Sequence, residues 1–163
     1  MLPNIQTILY ATDLEDHARP VFRYAVSLAE RFGAKIVLLY AIEPLSPSAQ
    51  SLVATVLPDG TPESLRMEGM KRVRQKIEER LRQFCKDELG MEPDDCKIVS
   101  DARVIEGRTA TTILDQAKRI SADVIVMGTR GRIGVSEMLL GSVAHKVIHQ
   151  TTIPVLLIPL RSS

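Results

Sequence analysis

With 163 residues, a formal net charge of +1, 45% hydrophobic and 25% charged residues, the chain has the composition of one soluble globular domain. The near-neutral balance, the absence of tryptophan and an aromatic content of 4% exclude a general nucleic-acid or membrane surface, and argue against base stacking on single strands. No apolar run approaches the roughly 20 residues that cross a bilayer, and Met1-Leu-Pro-Asn-Ile-Gln6 carries no basic or long apolar leader, so a cytoplasmic protein is expected.

Taken in chain order, Ile5 to Ala11 reads as a buried strand closing at Thr12-Asp13. Pro20 and Gly33 bracket a helix whose inward face is expected to hold Val21, Phe22, Ala25, Leu28, Ala29 and Phe32. Lys35 to Ala41 is a second strand, apolar enough to be covered on both faces. Glu43 to Pro62 holds four prolines and the turn signal Pro58-Asp-Gly60, which predicts a long mobile or partner-contacting loop. Its Leu45, Leu52, Val53, Val56 and Leu57 leave room for a short amphipathic turn.

Met70, Val73, Ile77, Leu81 and Phe84 recur every three or four residues, the stripe of a long amphipathic helix with charges on its other faces. Lys97 to Val104 is a third strand, Thr109 opens a helix through Ile113, Leu114, Ala117 and Ile120, and Val124 to Met127 is a fourth strand. A helix follows from Ser142, and Pro154 to Pro159 encloses the fifth strand. Cys85 and Cys96 have no metal-ligand spacing; a disulfide between them is possible, but reduced thiols are expected in a cytoplasmic protein.

Strands alternating with helices predict a single-domain α/β sandwich over residues 1–163, with a five-stranded parallel sheet flanked by helices on both faces. The common topology at this length has the order 3-2-1-4-5, in which the chain reverses direction between strands one and four. Ligands bind outside the carboxyl ends of strands at such a point. Ala11-Thr-Asp13 and Met127-Gly128-Thr-Arg-Gly131 therefore converge on one crevice.

Glycines let backbone N–H groups approach an anion, and a helix N-terminus adds unpaired donors and a positive dipole end. Gly128-x2-Gly131-x9-Gly141-Ser142 thus reads as a phosphate cradle. It is not a dinucleotide fingerprint, because Gly128, Gly131 and Gly134 are wrongly spaced and follow the fourth strand. Nor is it a Walker A loop, since the chain has no Gly-Lys-Ser/Thr. His145 and His149, four apart, have a metal-compatible spacing without a third ligand nearby in sequence and read as a surface pair. No Cys/His or Ser/His/Asp arrangement supports a hydrolase.

The same glycine spacing resembles the nucleotide-binding signature of the universal stress protein family, in its ATP-binding branch. The resemblance extends to Ile8-Leu-Tyr-Ala-Thr-Asp13, Glu106-Gly107, Ala122 to Gly128 and Ile153 to Ile158. It implies ATP bound across the ends of strands one and four, with Mg2+ or Mn2+ held by the phosphates. Position by position, Ala11, Thr12 and Asp13 would line the entrance, Asp13 reaching the ribose or the ion's water shell. Ala41 would offer backbone hydrogen bonds to adenine, and Met127 and Gly128 would floor the pocket. Arg130 and Gly131 would meet the phosphates with Gly141, Ser142, Val143 and Ala144. The chain departs from the family at Leu14-Glu-Asp16, where relatives often place small or hydroxyl residues.

These features imply an ATP-binding regulatory stress protein, with a slow ATPase or a nucleotide-independent interaction module as the alternatives. No catalytic residue is assigned. A homodimer through Val155, Leu156, Leu157 and Ile158 is expected, because that short apolar strand lies at a sheet edge and relatives commonly pair there. An unidentified protein partner is also expected.

Overall fold

The computed structural model describes residues 1–56, 62–92, 94–129 and 140–160. The chain divides into two compact units, one formed by Met1–Ile42 with Lys97–Ser163 and the other by Glu43–Cys96.

The first unit carries the whole sheet: β1 (Thr7–Ala11), β2 (Lys35–Ile42), β3 (Val99–Glu106), β4 (Val124–Gly128) and β5 (Val155–Ile158). All pairings are parallel, in the order β3-β2-β1-β4-β5, as the alternation of apolar runs and helices predicts. The helices of this unit are α1 (Arg19–Phe32), α4 (Thr109–Arg119) and α5 (Ser142–Gln150); α2 and α3 belong to the second unit.

Strand side chains alternate between faces, and the two sets divide cleanly. Leu9, Val37, Leu39, Ile125 and Met127 pack in one core with Ile113, Leu114 and Ala117 of α4 and Ala144 and Val147 of α5. Tyr10 belongs to the opposite face, where its ring stacks on Phe22 of α1 with centroids 5.1 Å apart. Helices therefore cover both faces of the sheet.

Boundaries differ from the sequence expectation for identifiable reasons. β1 begins at Thr7 rather than Ile5, because the Gln6 and Thr7 N–H groups donate to Asp123 Oδ2 at 2.8 and 2.9 Å instead of to a neighbouring strand. β3 runs two residues later than expected, and its register slips between Ile36 and Val37, which pair with Val99 and Asp101. Within α1, Val26 is buried and Phe32 is 48% exposed. The helical period places Phe32 inward but does not reveal where the helix stops. It stops there because Gly33 takes a left-handed φ of 64° and its N–H closes on the Ala29 carbonyl.

The second unit holds α2 (Pro47–Val56) and the 28-residue α3 (Pro62–Leu89). Within the segment expected to be a long mobile or partner-contacting loop, Pro47–Val56 forms a helix. Pro47 stands at the first position of α2, where its missing N–H costs nothing, and Pro44 precedes the helix. Residues 57–61 of that segment, with the Pro58-Asp-Gly60 turn signal, lie outside the described residues. Along α3 the expected stripe faces inward: Ile77 and Phe84 are buried, and Met70, Val73 and Leu81 are half-buried. On its exposed first turn, Arg66 donates to Glu63 at 2.6 Å and holds that carboxyl below its ordinary range.

The expectation of reduced thiols is not met. Cys85 and Cys96 form a disulfide with their Cα atoms 6.1 Å apart. α3 ends at a left-handed Gly90, and Met91 N–H donates to the Cys85 carbonyl, turning the chain back toward the cysteine. Spacing alone does not report such a turn. Closing a loop of this size stabilises a fold by about 3 kcal/mol in the chain-entropy account. Denaturant unfolding of Cys96→Ser is expected to show a loss of that order, and a midpoint unchanged by reductant would refute it.

Candidate functional site

β1 and β4 are neighbours, and the chain leaves them toward opposite sides of the sheet, so a crevice opens beyond their carboxyl ends. On the β1 side, Thr12 N–H donates to the Leu39 carbonyl at 3.0 Å, extending the β1–β2 ladder by one residue past Ala11. The chain then turns sharply. Thr12 Oγ1 accepts from Leu14 N–H and Asp13 Oδ1 from Glu15 N–H, both at 3.0 Å. Leu14 between them has φ 62° and is 6% exposed. A left-handed leucine costs about 1–2 kcal/mol, whereas burying its side chain gains about 1.5–3 kcal/mol. Burial outweighs strain, and the two side-chain hydrogen bonds hold the turn.

Asp13 Oδ2 meets His17 Nε2 at 2.9 Å, one helical turn on. The side chains are 21% and 39% exposed respectively, so the pair sits at the mouth of the crevice, open to water. The four-residue spacing from Asp13 is the sequence signal for this contact.

On the β4 side, Thr129 is the organising residue, and its role is not apparent from sequence. Its N–H donates to the Ile158 carbonyl at 3.0 Å, and its carbonyl accepts from Gly141 N–H at 2.8 Å. Its hydroxyl accepts from Leu160 N–H at 3.2 Å. These bonds tie the end of β4 to β5 and to the start of α5. A Cβ at Gly128 would lie 2.5 Å from Leu160 Cδ1 and 3.4 Å from Val21 Cγ2, so the Leu160 side chain would have to shift to admit one.

α5 is capped by Gly141, and its first internal bond runs from His145 N–H to the Gly141 carbonyl. The helix itself therefore offers no acceptor to the N–H groups of Ser142, Val143 and Ala144. Ser142 is exposed, Gly141 buried and Val143 half-buried. Met127 and Ala144 place their side chains in the core, at 5% and 2% exposure, so only their backbones can serve a ligand. Ala11 and Ala41 are half-buried near the ends of their strands, where Ala41 pairs with Ile105 of β3. Arg130 and Gly131 lie outside the described residues, as does Gly134.

The ends of β1 and β4 and the start of α5 thus present an acidic side chain, a hydroxyl and a row of backbone donors. The donors suit an anion. Among the described residues no group of three or more His, Cys, Asp or Glu could cage a metal, and no helix is long and apolar enough to cross a membrane.

Comparison with known proteins agrees with this geometry. The model of the Universal stress protein family matches residues 4–159. The chain is 34% identical over 153 residues to a universal stress protein of Thermus aquaticus, covering 94% of this chain and 98% of the relative. Among solved structures, the hypothetical protein MJ0577 shares the fold with a TM-score of 0.73 at 24% identity, covering 99% of this chain and 100% of that one. A universal stress protein from Archaeoglobus fulgidus in complex with dAMP matches with a TM-score of 0.57 at 19% identity, covering 96% and 99%.

Proposed function

The chain belongs to the universal stress protein family, and from that premise we propose that it is a stress-response regulator that binds ATP in the crevice between β1 and β4. The observation that carries the reading is the Gly141–Thr129 hydrogen bond. It anchors the N-terminus of α5 at the end of β4, where N–H groups with no acceptor inside the helix favour phosphate. In this reading Asp13 takes the ribose or the ion's water shell, and Ala41 offers its backbone to adenine. Gly141, Ser142, Val143 and Ala144 hold the phosphates together with Arg130 and Gly131. That a relative is in complex with dAMP supports an adenine nucleotide.

A Mg2+ or Mn2+ ion fits this donor set only as a passenger of the phosphates. Asp13 supplies one carboxylate and Ser142 one hydroxyl, and the other donors described at the crevice are N–H groups, which repel a cation. Nucleotide occupancy would act through a homodimer surface at β5 or through the segment 43–62, in a cytoplasmic protein.

Calorimetry with ATP, NAD and FMN in magnesium buffer tests the proposal. ATP is expected to bind most tightly, because the cradle follows β4 and not β1. Tighter binding of NAD or FMN, or no binding of any of them, would overturn it. Ser142→Ala is expected to weaken ATP by about 1–2 kcal/mol, one hydroxyl hydrogen bond, since the helix N–H groups remain. Complete loss would assign the hydroxyl a larger role than one donor.

A further inference from the structure

α5 carries two imidazoles away from the N-terminal donors already described. His145 and His149 are both exposed, their ring centroids are 4.4 Å apart and their planes are inclined by 42°. A metal–imidazole bond is about 2.0–2.1 Å, which puts a bound ion about 3.2 Å from each ring centre. Two rings bound to one ion at a right angle would then have centroids about 4.5 Å apart. The separation already present on α5 meets that requirement. Right-angled nitrogen donors suit Cu2+ and Ni2+ geometries better than a closed tetrahedral zinc site.

The helix dipole favours a cation at His149, while His145 stands in the first turn. His149 lies in the last turn of α5, where the helix dipole is negative. Residues four apart on a helix lie one above the other, whereas Lys146 is rotated by about 100° from His145. No group of three ligating side chains exists among the described residues, so the described structure supplies the two imidazoles and no third protein ligand.

We propose that His145 and His149 form a two-imidazole, solvent-open site for a late first-row divalent cation, taking Cu2+ ahead of Ni2+ and Zn2+. The test titrates the untagged full chain with Cu2+ alone in a non-coordinating buffer, followed by calorimetry and by nitrogen hyperfine structure in the copper spin-resonance spectrum. One ion per chain is expected, with coupling to two imidazole nitrogens. His145→Gln and His149→Gln should each weaken binding at least tenfold, with circular dichroism confirming that the helix content is kept. His17→Gln should leave the titration unchanged. If the His145→Gln, His149→Gln double variant binds as tightly as the native chain, or if His17→Gln abolishes binding, the proposal is wrong.

Discussion

Asp13→Ala is expected to lower ATP affinity by about ten- to a hundredfold. A hydrogen bond to a charged group contributes about 1.5–3 kcal/mol, and Asp13 supplies the single carboxylate assigned to the β1 side. The substitution also removes the acceptor for Glu15 N–H and the partner of His17, so part of its effect comes from a loosened turn around the left-handed Leu14. Asp13→Asn separates the two contributions. Its side-chain oxygen can still accept from Glu15 N–H, so the turn survives, but the negative charge is gone. If Asp13 serves the ion's water shell, Asn loses most of the magnesium-dependent affinity; if it serves the ribose, Asn keeps most of it. Isothermal titration with and without magnesium distinguishes these outcomes. Unchanged ATP affinity in folded Asp13→Ala would remove Asp13 from the site.

His17 adds a condition to this result. Its Nε2 lies 2.9 Å from Oδ2, so a ligand group that uses this oxygen either shares it with the imidazole or displaces it. The pair is exposed enough for water to weaken it, and an exposed ion pair contributes at most about 1 kcal/mol. A ligand hydrogen bond to the carboxylate outweighs that, so in the proposed site His17→Gln is expected to change ATP affinity by less than Asp13→Ala.

The sheet was legible because its central strands are covered on both faces. Ile8 to Tyr10, Ile36 to Tyr40 and Val124 to Met127 are unbroken apolar runs, and every one of those residues is buried. Two glycines of the candidate site were legible as backbone features: Gly128 lies against Leu160 and Gly141 caps α5. The β1 half was less so. Leu14-Glu-Asp16 registered only as an unusual sequence, since neither a leucine's φ of 62° nor the His17–Asp13 contact has a signature in composition or period. Thr129 escaped because its three hydrogen bonds reach Ile158, Gly141 and Leu160, and such long-range partners exist only once the fold does. Phe32 and the disulfide were misread on similar grounds. Periodicity gives the face of a helix, while its end depends on how the following chain turns.

Leu156→Lys is expected to convert the protein from dimer to monomer. The order β3-β2-β1-β4-β5 leaves β5 at the sheet edge, bonded to β4 on one side. Pro154 and Pro159 are tolerated on either side of this strand because an edge does not need every N–H donor. Val155 and Leu157 pack partly against the core containing α4 and α5. Leu156 points to the other face, and all three are only half-buried within one chain. A short, uncharged, half-exposed edge strand is prone to unwanted pairing unless something covers it, and a second copy about a two-fold axis would cover it with the same surface. A lysine at the centre of that contact would bury an unpaired charge at a cost of about 3 kcal/mol or more, roughly a hundredfold in dissociation constant. The sheet itself should survive, because in the monomer the new ammonium group reaches water. Sedimentation velocity at micromolar concentration should therefore give a dimer for the native chain and a monomer for Leu156→Lys, with matching circular dichroism spectra. A native chain that sediments as a monomer under those conditions would show that the edge is left unpaired.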